Sequence, residues 1–186
     1  ALCARISFTG ELGYEIYVSP QYQLKLFEEI DEAGKDLGLK WFGGRALMSM
    51  RLEKNWGAWT MDYRPDFTLM ESGMDFFVNW EGDFIGKKAA LIEKKNGPIK
   101  KLSVIQIDTE IDVSGDEAVM YNGKCVSYIT SGGYGHSVRK SLAMTYLPVE
   151  LIDPSIDLEV EILGEFHKAL VEMKPLYDPS GSKMRQ

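Results

Sequence analysis

Apolar and polar positions change rhythm several times along the chain, and each rhythm predicts an element. Arg5-Ile6-Ser7-Phe8 alternates polar and apolar residues, and Tyr14-Glu15-Ile16-Tyr17-Val18 resumes β-prone sequence after a break at Gly10 and Gly13. Two strands turning into each other through the glycines are expected. Tyr22, Leu24, Leu26, Phe27 and Ile30 then fall mostly at helical spacing behind Ser19-Pro20, with Gly34 near the end. An amphipathic helix over about residues 20–34 follows from that spacing. Gly43-Gly44 precede Arg45 to Lys54, whose Leu47, Met48, Met50 and Leu52 suit a buried helix with Arg45 at its entrance.

The rhythm is lost over residues 55–75, where Trp56, Trp59, Tyr63, Pro65 and Phe67 keep no period. Such a stretch reads as an ordered loop that either pins itself under a helix with its own aromatics or walls a pocket. Phe76-Phe77-Val78 reads as a strand and Gly86 to Lys95 as a short lysine-rich helix. Asn96-Gly97-Pro98 is the clearest boundary signal. It divides an α+β part, residues 1–97, from residues 98–186, where the texture changes to short strands. Leu102–Ile107, Ala118–Met120, Lys124–Thr130, Ser141–Tyr146 and Leu158–Ile162 are strand-like, and Phe166–Met173 offers another. Asn122-Gly123 is a hairpin turn signal, and the set predicts a small antiparallel barrel or sandwich.

With 186 residues, 45% apolar and 11% aromatic, the chain has material for a packed core. A formal charge of −7, from 21 basic and 28 acidic side chains, argues against a nucleic-acid partner. No apolar run reaches the roughly 20 residues of a membrane helix, and no secretory leader opens the chain. Cys3 and Cys125 stand far apart without metal or disulfide spacing, which fits a reducing compartment such as the cytoplasm. A strand that opens without an evident upstream partner, and a first residue other than Met, lead us to expect a piece of a longer polypeptide.

No phosphate loop, metal-spaced histidine pair or nucleophile elbow is present. Ser131-Gly132-Gly133-Tyr134-Gly135-His136-Ser137 leads into another strand-like run instead of a helix, so it offers no helix N-terminus to a pyrophosphate. Two readings stay open for it: a wide turn between barrel strands, or a loop whose Tyr134, His136, Arg139 and Lys140 edge a ligand site. Glu11 and Glu15 have a sharper logic. An inward carboxylate on a strand can accept two parallel N–H bonds from an amidine-like heterocycle such as a pterin, although a strand carboxylate is more often exposed or ion-paired.

Five stretches, in order, carry a resemblance: Phe8 to Ile16, Arg51-Leu52-Glu53-Lys54, Asp83 to Ala89, Thr130 to Ser137, and Pro175-Leu176-Tyr177-Asp178-Pro179. Together they resemble the glycine cleavage T-protein (aminomethyltransferase) superfamily, in wording most like the folate-binding region of dimethylglycine and sarcosine dehydrogenases. The resemblance implies the C-terminal part of an α+β folate-binding domain followed by the family's β-barrel. It also implies tetrahydrofolate as cofactor, with Glu15 on the pterin ring and the aromatic Phe8 lining the same pocket. Tyr134 joins them as an edge residue. Phe8 stands where T-proteins have tyrosine, so stacking remains and a hydroxyl is lost. Leu47-Met48 replaces the family's arginine-aspartate pair, and Arg45, two residues earlier, becomes the substitute cation for the folate tail.

The implied function is one-carbon transfer from a methylated amine to folate, in glycine cleavage or in dimethylglycine or sarcosine oxidation. The family's catalytic aspartate belongs to an N-terminal half outside these residues, which makes that half an expected partner and leaves the segment alone inactive. FAD would enter only with an upstream dehydrogenase module, and a eukaryotic parent would place the protein in the mitochondrial matrix. Two alternatives share the scaffold. A non-catalytic relative in iron-sulfur protein maintenance would carry a Lys-Gly-Cys-Tyr-type signature where this chain has Gly82-Asp83-Phe84-Ile85. A folate-dependent sulfonium demethylase would differ mainly in residues outside the chain.

Overall fold

In the computed structural model, which describes all 186 residues, the second half closes on itself while the first half does not. Six antiparallel strands form the barrel: β3 (Lys100–Ile107), β4 (Ala118–Tyr121), β5 (Lys124–Gly135), β6 (Lys140–Pro148), β7 (Leu158–Ile162) and β8 (Glu165–Glu172). Their order around it is β3-β6-β5-β4-β7-β8, and β8 pairs with β3 to shut the ring. Closure removes every open sheet edge. Asn122 and Gly123 turn β4 into β5 with φ of 49° and 73°, the positive pair that a two-residue hairpin requires.

Alternation fills the interior. In β7, Leu158, Val160 and Ile162 point inward and are at most 2% exposed, while Glu159 and Glu161 face solvent. They join a cluster of 12 buried side chains that includes Ile105, Ile129, Leu147 and Val171. Each Val, Leu or Ile among them contributes roughly 1.5–3 kcal/mol by leaving water. Strand β6 departs from alternation and is buried on both faces from Ser141 to Leu147. Its outward Leu142 and Met144 pack with Val104 and Leu52, so helix and loop cover that side of the barrel.

Ahead of the barrel lie β1 (Leu2–Ala4), β2 (Glu15–Tyr17), α1 (Gln23–Gly34), α2 (Gly44–Glu53) and α3 (Lys87–Asn96). The mixed α+β architecture agrees with the sequence expectation, and α1 and α3 fall where the spacing put them. Three expectations are corrected. The first strand of the opening pair is Leu2–Ala4, not Arg5–Phe8. Arg5–Phe8 is drawn off because Ser7 Oγ accepts the Gly10 N–H at 3.1 Å and Arg5 donates to the carbonyls of Met184 and Gln186. Asp75–Phe77 is a 3-10 turn, since no strand stands beside it to complete a ladder.

The third correction concerns the glycine-rich run, of which Ser131–Gly135 continue β5 and only His136 and Ser137 enter the turn to β6. A Cβ on Gly132 would lie 2.7 Å from the Val113 carbonyl oxygen, and one on Gly135 would lie 3.0 Å from the Glu53 carboxylate. The glycines let backbone and helix approach the strand closely. No helix is long and apolar enough to cross a membrane.

Candidate functional site

Helix α2 meets the barrel through its last turn, where Arg51, Leu52 and Glu53 are buried while Leu47, Met48 and Met50 stay half-buried. Arg51 Nη1 donates to Asp62 Oδ2 at 2.7 Å and to the Trp56 carbonyl at 3.0 Å. Neither Arg51 nor Asp62 is more than 1% exposed, so the pair is fully desolvated. Such a pair depends on further hydrogen bonds to offset desolvation, and of its atoms only Arg51 Nε is left buried without a partner. Asp62 receives those bonds: the Ala58 N–H donates to it at 2.8 Å, the Ser131 hydroxyl at 2.7 Å, and the Thr130 hydroxyl completes the set. Burial pulls the Arg51 guanidinium below its ordinary pKa, and Asp62 opposes that pull.

The neighbouring residues tie in two other segments. Glu53 Oε1 accepts the N–H groups of Ser137 at 2.7 Å and Val138 at 3.3 Å, holding the turn between β5 and β6. Lys54, 3% exposed, donates to the carbonyls of Tyr177 at 3.2 Å and Asp178 at 2.6 Å. Arg51-Leu52-Glu53-Lys54 is therefore a knot joining helix, barrel, hairpin and C-terminal strap. Asp178 in turn caps the strap's last turn, accepting from Ser182 and from the Lys183 N–H.

The Ser182 hydroxyl first, then the backbone N–H groups and Lys54, hold the Asp178 carboxyl down at about 2, against the opposing effect of burial. A free aspartate titrates near 3.9, so the carboxylate supports the strap fully above that value and loses its contribution as pH falls toward about 2. Acid titration followed by the Asp178 side-chain carbon shift is expected to show this midpoint, and Ser182→Ala to raise it. A midpoint near 3.9 in the parent would contradict the cap.

Two clefts flank the knot. The first, of about 690 Å³, opens between the Phe8 loop, the aromatic segment after α2 and strands β3 and β8. Phe8, Trp56, Trp59, Tyr63, Phe76 and Phe77 wall it, with Lys101 and Glu172 as its charged groups. Burial raises the Glu172 carboxyl, with Lys140 opposing. Asn55, held at φ 58°, lines the same cleft with a buried Oδ1 that has no hydrogen-bond partner. An aromatic slot of this size with acceptors such as Glu172 and Asn55 in its lining suits a planar ring bearing N–H groups. Its lining holds no histidine or cysteine.

The second cleft, of about 770 Å³, lies between the start of α2 and the end of β5. Arg45, Ser49, Asp112, Tyr134 and His136 line it. Arg45 is nearly free in solvent, 3.8 Å from the Asp112 carboxylate. Tyr134 meets His136 edge-on, with ring centroids 5.1 Å apart, and its carbonyl accepts the Ser49 hydroxyl.

The four residues singled out in the sequence are thus distributed. Arg45 and Tyr134 come together in the second cleft, Phe8 lines the first, and Glu15 lines neither. Glu15 sits exposed on β2 and accepts a hydrogen bond from the Tyr17 hydroxyl two residues on. Glu11 does not share its face, because Glu11 lies in the loop and accepts from the Tyr177 hydroxyl. Trp56, Trp59 and Tyr63 wall a pocket, one of the two readings of their loop. Asp62 and Asn55 were missed. An arginine inside an apolar helix run requires a buried carboxylate nearby, and that requirement was the available signal for Asp62.

Comparisons with known proteins divide the chain in the same order as the fold. Residues 1–82 match the model of the GCVT N-terminal domain, and residues 100–178 match that of the glycine cleavage T-protein C-terminal barrel domain. Human mitochondrial dimethylglycine dehydrogenase is 37% identical over 98% of this chain, which spans 22% of that protein. An aminomethyltransferase of Thermoanaerobacter sp. (strain X514) is 32% identical over 98% of this chain and 50% of its own length. Among solved structures, the glycine cleavage system aminomethyltransferase T from Bartonella henselae superposes with a TM-score of 0.86 at 26% identity, over 95% of this chain and 50% of that one. The chain spans between about a fifth and a half of these relatives.

Proposed function

Because the chain belongs to the glycine cleavage T-protein (aminomethyltransferase) superfamily, we propose that it is the folate-side part of a tetrahydrofolate-dependent one-carbon transfer module. The observation that carries this reading is the aromatic cleft, whose lining brings Phe8 of the opening motif together with Trp56, Trp59 and Asn55. These residues fit a pterin: rings for stacking and an acceptor for a ring N–H. Arg45 and Tyr134 would meet the folate's carboxylate tail from the second cleft, and Glu15, which lines neither cleft here, would become the charged acceptor only by leaving Tyr17 and turning toward the ring. Tetrahydrofolate, when bound, supplies the nucleophilic N5/N10 edge on which a one-carbon unit from a methylated amine ends.

What the chain's own side chains do is bind, orient and exclude water. The first cleft lacks a nucleophile paired with a base, so rate enhancement here comes from positioning. Proton handling, and the catalytic aspartate implied by the resemblance, belong to a preceding half of the module. The division into residues 1–97 and 98–186 puts the folate-side layer in the first part and the closed barrel in the second. FAD has no site among these residues and would accompany a dehydrogenase module elsewhere in the polypeptide. The setting is the cytoplasm, or the mitochondrial matrix for a eukaryotic parent, and the partners are folate and a methylated amine.

Titration of the protein that carries this chain with tetrahydrofolate tests the reading, with Glu15→Gln beside it. Losing a charge-assisted contact costs about 1.5–3 kcal/mol, or roughly 10–150-fold in Kd. Equal affinities would remove Glu15 from the site, and no binding by the parent would remove the folate reading itself.

A further inference from the structure

The strap that follows β8 returns to the opening loop, anchored at Arg5, Glu11, Glu53 and Lys54, and Lys54 takes the largest share. The Tyr177 N–H donates to the Glu53 carbonyl at 3.1 Å, and the Tyr177 hydroxyl donates to Glu11. Lys54 reaches both the strap and the loop. Its ammonium, with three donors to place, bonds the carbonyls of Tyr177 and Asp178 and stands 3.7 Å from the Asp178 carboxylate. Its methylene stem lies directly under Gly10, where an added Cβ would be 2.7 Å from both Cγ and Cδ. The same ammonium is 5.7 Å from the centroid of the Trp56 ring, a wall of the aromatic cleft.

We propose that Lys54 is a positioning residue for the aromatic cleft: a buried cation that latches the C-terminal strap onto the loop carrying Phe8, so that strap, loop and cleft wall close as one unit. Burial of a lysine at 3% exposure is costly without compensation, and here two carbonyls and a carboxylate from a single strap provide it. With the strap detached, Lys54 would have to turn toward solvent and its stem would leave Gly10. The loop from Ser7 to Glu11 would then lose its floor, and Phe8 its fixed place. The latch therefore has two parts, an ionic head on the strap and an aliphatic stem under the loop, and a freed strap also withdraws the Tyr177 hydroxyl from Glu11.

The proposal rests on the folate reading only in taking tetrahydrofolate as the probe for the cleft. Amide hydrogen exchange is measured in the protein that carries this chain, on the parent, Lys54→Met, Lys54→Arg and Tyr177→Phe. Lys54→Met keeps the stem and removes the head. It is expected to speed exchange roughly 10-fold or more in residues 177–186 and in Ser7–Glu11, since charge-assisted bonds are lost. Strands β3 to β8 should keep their protection, and Lys54→Arg should restore most of the strap's. Tyr177→Phe, which leaves the buried cation in place, should loosen the Ser7–Glu11 loop alone.

Tetrahydrofolate Kd is expected to rise for Lys54→Met and for Tyr177→Phe, with the double variant weaker by less than the product of the two. Unchanged strap protection in Lys54→Met overturns the latch, as does a loosened strap with an unmoved opening loop. Should the parent fail to bind tetrahydrofolate, the folate reading falls while exchange still decides the latch.

Discussion

Replacing Asp62 by alanine is expected to cost about 3–5 kcal/mol of stability, a large part of the roughly 5–15 kcal/mol that holds a domain folded. The reason is what remains. Arg51, 1% exposed, would keep its charge with only the Trp56 carbonyl and the Met144 sulfur as neighbours for Nη1. The hydroxyls of Thr130 and Ser131 and the Ala58 N–H would lose their common acceptor as well. Arg51→Met combined with Asp62→Leu removes both charges and should recover much of the loss, because a desolvated pair adds little over apolar packing. Urea unfolding of the single and double variants is the measurement. A loss below about 1 kcal/mol for Asp62→Ala would show that water reaches the pair.

A second large effect separates the two halves of the chain. Ile129→Ala is expected to cost about 2–5 kcal/mol, since the side chain is fully buried among the barrel's inward residues and the walls of a closed ring cannot collapse into the cavity. Leu24→Ala, on the apolar face of α1, should stay within about 0.5 kcal/mol in this chain. Leu24 is 69% exposed, and Gly34 is the only buried residue of its helix. Calorimetry of the two variants reads the difference directly. Comparable losses would mean that α1 is covered in solution, which fits its amphipathic spacing but not the contacts it makes here.

The same contrast explains what could be read from the sequence. Barrel strands were legible because period-two alternation and turn chemistry are local: Leu158, Val160 and Ile162 declare their face, and Asn122-Gly123 declares its turn. Helices α1 and α3 were legible for the same reason, through spacing and Gly stops. Phe76-Phe77 has strand propensity but no ladder partner, and propensity without a partner gives a turn. Ser131 to Gly135 looked like loop because glycine signals a turn, whereas here it makes room for Val113 and Glu53 against a strand. The meeting of Arg45 with Tyr134 needed the fold, since 89 positions separate them and only the packing of α2 on β5 joins them. Family wording found the knot at Arg51 to Lys54 without saying that it is structural.

The barrel's closure carries a consequence for how the chain is made. Synthesis proceeds from the N-terminus, so within this chain β1, β2 and α1 emerge before α2, and α2 before the barrel. Asp62 then waits for Thr130 and Ser131, Lys54 waits for Tyr177 and Asp178, and β3 stays unpaired on one side until β8 arrives. The bonds that tie the opening layer to the barrel and the strap are therefore to residues translated later. The nascent layer can pair β1 with β2 and wind its helices early, while its seating on the barrel waits for Thr130, Ser131, Tyr177 and Asp178.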